Sequence, residues 1–243
     1  PEETELSPHD PDVQVWDELS DDEKKLFTRM MEVFAGFVTY TDEQFGRILD
    51  FLEDIGELDN TLIMVISDNG ASPEGGLNGT LNENDFFNYI PTKLEDNLAK
   101  LDTLGSPENY NHYAWGWANA GNTPFKRWKK ETFRGGTSDP FVLSWPAKIE
   151  AKGEFRTQYG HAIDMVPTVL DLLDIDPPES IKGVKQDPIE GVSLASTVKD
   201  ASAPDVHTTQ YYEVLGSRSI YHDGWRAECG YPGPNYKTGA ENG

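Results

Sequence analysis

Cysteine is nearly missing from this chain of 243 residues: Cys229 stands alone. No disulfide can form within the chain, and thiol usage indicates no redox compartment. Long apolar runs are missing too. None approaches the ~20 residues that a membrane-spanning helix requires, so the sequence predicts no membrane partner. Positive charge is scarce, with 20 Lys and Arg against 43 Asp and Glu, a formal net charge of −23 and a pI near 4.4. That balance speaks against a nucleic-acid partner, which would need clustered cations to meet phosphates. No nucleotide loop of the G-x-x-x-x-G-K type, zinc H-E-x-x-H motif, EF-hand or internal repeat occurs. The 37% hydrophobic and 26% charged residues fit a globular protein, long enough for one large domain or a main domain with a small one.

Acidity is concentrated at the start. Residues 1–25 hold ten acidic residues, beginning with Glu2, Glu3 and Glu5, against Lys24 and Lys25, a local net of −8. This stretch reads as a solvated lead-in. Because it opens on Pro1 without a signal-peptide pattern, the chain reads as an excerpt of something longer, with the compartment left open between cytoplasm and periplasm.

Over residues 21–57, Phe27, Met30, Met31, Phe34, Phe45, Ile48, Leu49 and Leu52 recur at spacings of three and four, which predicts helix, with Gly56 as terminator. The run Thr61–Ile66 reads as a buried strand and "PFVLSWP", residues 140–146, as a second. Leu94, Leu98 and Leu101 predict a further helix that stops at Gly105, while "NYNHYAWGWANAGNTPF" is aromatic without a regular period. "HAIDMVPTVLDLLDI" predicts another helix, with Asp164 as candidate N-cap and Pro167 in the first turn. The alternation is that of an α/β protein. From about Pro204 the texture becomes Tyr-rich, with His222-Asp223-Gly224 as a hairpin-like turn, so the expected division is 1–203 and a smaller antiparallel unit, 204–243.

Two stretches carry chemistry. In "VISDNGASPEGG" an apolar strand ends in Asp68 and Asn69, at the position where open α/β sheets gather ligands. A carboxylate and an amide carbonyl are hard oxygen donors suited to Ca²⁺ or Mg²⁺, although the same tetrad is also an ordinary turn. In "KRWKKETFRGG", Lys126, Arg127, Lys129, Lys130 and Arg134 face only Glu131, a local net of +4. Such an island could cradle sulfate or phosphate, or form a solvated helix end. His112 lies among aromatic residues as a candidate contact to a leaving-group oxygen, or as a loop histidine. His161 and His222 read as packing or capping residues, and His9 and His207 as exposed.

Taken in order, "TLIMVISDNG", "GNTPFKRWKKETFRGGTSDPFVLSWP", "HAIDMVPTVLDLL" and "YHDGWRA" resemble the C-terminal part of a bacterial arylsulfatase, a member of the alkaline-phosphatase-like superfamily. The resemblance implies a mixed sheet flanked by helices with a smaller C-terminal antiparallel sheet, bound Ca²⁺, and hydrolysis of small-molecule sulfate monoesters. Asp68 and Asn69 match the family's metal ligands. Lys129, six positions before Gly135, matches the lysine that contacts a sulfate oxygen. The family's Glu before Gly-Gly and Arg two residues after it are replaced here by Arg134 and Ser138. The nucleophile of such enzymes is a formylglycine made from Cys/Ser-x-Pro-x-Arg. Neither Cys229 in "CGYPG" nor Ser138 in "SDPFV" completes that motif, so it is expected upstream, and the piece alone is expected to be inactive. Two alternatives stay open: a phosphate-ester or phosphonate hydrolase of the same superfamily, and a non-catalytic acidic calcium-binding module. Nothing in the sequence indicates the oligomeric state.

Overall fold

The expected first helix is realised without a break. In the computed structural model, which describes residues 6, 8–150 and 152–230, helix α1 spans Asp21–Asp54. Glu2, Glu3, Glu5 and residues 231–243 lie outside the described residues. Ser20 and Glu23 form a reciprocal capping box at the start of α1. At its end Gly56, with φ 74°, takes the left-handed turn while Glu57 N–H reaches back to Leu52 O at 2.9 Å. The N-terminal half buries Leu26, Phe27 and Met30, whereas Phe37, Tyr40 and Phe51 farther along are exposed.

Helix α2 (Asn84–Phe87) precedes helix α3 (Leu94–Leu98), and α3 and helix α4 (Trp115–Asn122) pack against the buried half. The stretch expected to form one helix up to Gly105 is split into α3 and a 3-10 turn at Leu101–Thr103, yet Leu94, Leu98 and Leu101 still face the core. The aromatic segment that lacks a sequence period supplies α4. Its Trp115 stacks obliquely near Trp128, with ring centroids 5.8 Å apart, and donates from Nε1 to Pro73 O at 2.6 Å. The main apolar cluster thus joins α1, α4 and Trp128.

Strand β1 (Ile63–Ile66) pairs antiparallel with β2 (Phe141–Ser144), which follows the short helix α5 (Arg134–Thr137). Both strands exist where the sequence predicts them, but the expectation that they are buried is corrected: Val65, Ile66 and Val142 are exposed, because no further layer covers this ribbon among the described residues. The remaining strands are β3 (Ser180–Ile181) with β4 (Val184–Lys185), and the meander β5 (Thr209–Val214), β6 (Ser217–His222) and β7 (Trp225–Cys229). All three sheets are antiparallel, so the described residues are mixed α/β and contain no large mixed sheet. Leu215-Gly216 and Asp223-Gly224, with both residues of each pair at positive φ, make the two meander turns. No described helix is long and apolar enough to cross a membrane.

One buried carboxylate ties the meander to the rest. Asp164, preceding helix α6 (Met165–Leu172), does not cap that helix with its side chain as expected. Its carboxylate instead accepts from His161 N at 2.8 Å, Val192 N at 2.9 Å and His207 Nδ1 at 2.7 Å. His207, expected to be exposed, is buried, because Asp164 offers its ring an acceptor and Tyr159 packs edge-on against it. The segment leading to helix α7 (Ala195–Lys199) joins through Thr168, which accepts from Leu194 N at 2.9 Å. Asp164→Ala would leave these donors unsatisfied in the interior. It is expected to destabilise the fold by about 3 kcal/mol, read by urea unfolding, and to quicken amide exchange in β5 to β7.

A bare-backbone seam joins the end of β1 to the basic loop. A Cβ placed on Gly70 would lie 1.7 Å from Gly135 O. Gly70→Ala is therefore expected to cost about 3 kcal/mol or more by the same measurement, with the 126–136 loop displaced.

Candidate functional site

The turn after β1 satisfies itself locally. Ser67 N–H extends the ladder to Pro140 O at 3.2 Å, Ser67 Oγ donates to Asn69 O at 2.8 Å, and Asn69 Nδ2 donates to Gly70 O at 2.9 Å. The Asn69 carbonyl oxygen is then the part of its amide left for a cation. Antiparallel register pairs Ile66 with Phe141, so continuing two residues outward sets Asp68 opposite Asp139. Burial, together with the neighbouring Asp68 charge, pushes the Asp139 carboxyl up to about 6. Asp139 was not anticipated from sequence. Its signal was symmetry: it precedes β2 by the same two residues by which Asp68 follows β1.

Two carboxylates and an amide oxygen are the hard donors that calcium takes, and their mutual repulsion favours a cation between them. They are too few to enclose one, since Ca²⁺ takes ~6 to 8 oxygens. Among the described residues no group of three or more His, Cys, Asp or Glu could hold a metal ion. The set therefore fits one side of a cation site.

Across the glycine seam, the basic loop is fixed at nearly every residue. Arg127 pairs with Asp12 at 2.9 Å and Asp10 at 3.3 Å, its carbonyl accepts from Asn122 Nδ2 at 2.9 Å, and Trp128 is fully buried. Asn122 Oδ1 in turn accepts from Ala71 N at 3.0 Å, and Lys129 N donates to Ala71 O at 3.1 Å. The loop thus lies alongside the Asp68-Asn69-Gly70 turn. Lys129 Nζ contacts Glu74 Oε2 at 2.8 Å, and Lys130 Nζ contacts Glu74 Oε1 at 3.0 Å. Arg127 and Lys130 have φ of 65° and 72°, two non-glycine residues in the left-handed region that bracket Lys129.

Although burial pushes the other way, hydrogen bonds from Lys129, Ser72 and Lys130 hold the Glu74 carboxyl down at about 2. Glu74 is the second residue that sequence reading missed; within "ASPEGG" it is a lone acid in a glycine-rich loop. The outer cations also have partners. Lys126 sits 5.1 Å from the Phe133 centroid and Arg134 sits 4.1 Å from Phe125. Arg134 Nε also donates to Ser138 Oγ at 3.3 Å, so the two positions that depart from the arylsulfatase pattern touch each other.

His112 reaches the same neighbourhood. Backbone bridges pair Thr80 with His112 and Asn82 with Tyr110, and the imidazole Nδ1 lies 3.1 Å from Tyr113 O. A Cβ on Gly75, next to Glu74, would stand 2.8 Å from that Nδ1. Tyr110 titrates above its ordinary range because Glu83 stands beside it and accepts its hydrogen bond. A cavity of about 170 Å³ opens beside Glu74, lined by Gly75, Thr80, Phe86, Pro91 and Trp115. The structure thus gathers Lys129, Glu74 and His112 around one loop, and places Asp68, Asn69 and Asp139 at the strand end that the same loop continues. From behind, the meander grips the basic loop: Ser219 Oγ and Arg226 Nη2 donate to Thr132 O at 3.0 and 2.6 Å.

Comparison with known proteins bears on this geometry. The sulfatase family model matches residues 5–175. A sulfatase of Schizosaccharomyces pombe is 36% identical over 169 residues, covering 67% of this chain and 28% of the relative. An arylsulfatase of Klebsiella aerogenes is 28% identical over 182 residues, covering 74% and 37%. Human N-acetylgalactosamine-6-sulfatase is 26% identical over 165 residues, covering 68% and 23%. The chain spans well under half the length of each of these relatives. Since the family model extends from the acidic lead-in through β1, the basic loop and α6, the chain belongs to the sulfatase family.

Proposed function

We propose that the protein hydrolyses sulfate monoesters and that this chain supplies the electrostatic half of the site. One observation carries the reading: Lys129, bonded through its backbone to Ala71 and through its ammonium to Glu74, is fixed beside the loop that begins with Asp68 and Asn69. An ammonium group held in advance can meet a sulfate oxygen without reorganising as charge shifts during S–O cleavage. His112 stands near enough to the Glu74–Gly75 loop to contact the leaving-group side.

Asp68, Asn69 and Asp139 are assigned to one flank of a calcium site, with further ligands and the attacking formylglycine supplied by sequence upstream of this chain. When bound, the cation would act as a Lewis acid on the ester oxygens. The Asp68 and Asp139 carboxylates hold that side of the site negative, and the Gly70 seam fixes their distance from the basic loop. The alkaline-phosphatase-like sheet belongs to the same proposal, with β1 and β2 as two of its strands.

With the protein expressed from its full gene and assayed on p-nitrophenyl sulfate, Lys129→Ala is expected to lower kcat/KM roughly 10²-fold or more. Unchanged activity would remove Lys129 from the reaction. Chelation by EGTA is expected to abolish turnover, with added Ca²⁺ restoring it. Asp68→Ala should weaken calcium binding measured by titration calorimetry, and an unaltered affinity would place the metal elsewhere.

A further inference from the structure

The Glu74 side chain is 2% exposed, yet it faces two cations that are adjacent in sequence. Side chains of consecutive residues in an extended chain point to opposite faces. Here both reach one carboxylate, with Lys130 in the left-handed region at φ 72°. The two lysines are not equivalent. The Lys130 ammonium is covered by the rings of Phe86 and Phe87, 4.4 and 5.1 Å from their centroids. The Lys129 side chain keeps 30% of its surface exposed and donates once to Glu74 Oε2, which Ser72 Oγ also engages. An ammonium group has three donors, so among the described residues two remain on Lys129 for an anion.

Charge bears on which anion this arrangement suits. Two ammonium groups and one carboxylate leave a net of +1. A sulfate monoester is a monoanion at neutral pH, whereas a phosphate monoester, with a second pKa of about 6, is mostly a dianion. Resting on the sulfate-ester reading above, we infer that Glu74 is a positioning residue that aims the Lys129 ammonium at the ester and, by cancelling one lysine charge, tunes the cradle to monoanionic esters. Its action is through Lys129, not by contact with the substrate. Tyr110, which senses the charges of Glu83, Glu74 and Lys129, is unchanged in the comparison below, as is Glu83.

The test compares kcat/KM for p-nitrophenyl sulfate and p-nitrophenyl phosphate in the protein expressed from its full gene. Glu74→Gln keeps the shape and removes the charge. It is expected to lower the rate on the sulfate ester and to narrow the sulfate-to-phosphate preference roughly tenfold, while Glu74→Asp restores the preference. A purely structural role would lower both rates together and leave their ratio alone. Lys130→Gln brings the cluster to neutrality and should widen the same ratio, so the charge argument is decided even if Glu74→Gln fails to fold. An unchanged ratio in Lys130→Gln and in any folded Glu74→Gln, with Lys129→Ala still impaired, overturns the role of Glu74 and leaves the sulfate-ester reading standing. Absence of sulfate-ester turnover in the wild type, or full activity in Lys129→Ala, overturns both.

Discussion

The contact of Gly70 with Gly135 and Gly136 is the constraint around which the candidate site is arranged. Bare backbone lies on bare backbone there, closer than any side chain allows, with a Gly70 Cβ falling 3.1 Å from the Gly136 Cα as well. Because of that approach, the turn that follows β1 and the basic loop run side by side. Each side is then locked in its own way: hydrogen bonds through Ser67 and Asn69 on the acidic side, and Arg127, Trp128 and Glu74 on the basic side.

Electrostatics and packing cooperate in the basic loop. A dense set of cations in so acidic a chain would repel itself if left to solvent, but its members are distributed among different partners. Asp10 and Asp12 take Arg127, Glu74 takes the two central lysines, and aromatic faces take Lys126 and Arg134. Acidic residues of the lead-in therefore have a structural use: Asp10 is buried and anchors the loop from a segment that composition describes only as charged. Behind the loop, the meander reads its backbone at Thr132, so a unit that looks separate in sequence is joined to the site.

Much of this was legible from periodicity and turn chemistry. The spacing of apolar residues marked α1, an N-cap and an early proline marked α6, short apolar runs marked β1 and β2, and a Tyr-rich texture with a turn at His222-Asp223-Gly224 marked the meander. The resemblance singled out Asp68, Asn69 and Lys129, which the structure sets on adjacent loops. What escaped was set by partners distant in sequence. α4 has no clean period because Trp115 and Trp117 serve contacts on different sides, to Pro73 and to Phe27. His207 could not be placed inside without knowing that Asp164, far earlier in the chain, awaits it. Glu74 and Asp139 lie inside the stretches that carry the chemistry, but their partners became visible only once loop contacts and strand register were known.

The β1–β2 ribbon carries a further consequence. It is a two-stranded antiparallel pair with no strand beside either outer edge among the described residues, and it presents Val65, Ile66, Phe141 and Val142 to water. Unpaired backbone donors and acceptors beside β-branched and aromatic side chains form a template for pairing with another polypeptide. Prepared alone, this stretch would be prone to self-association through that edge, with aggregation setting in at the ribbon that leads into the proposed metal site.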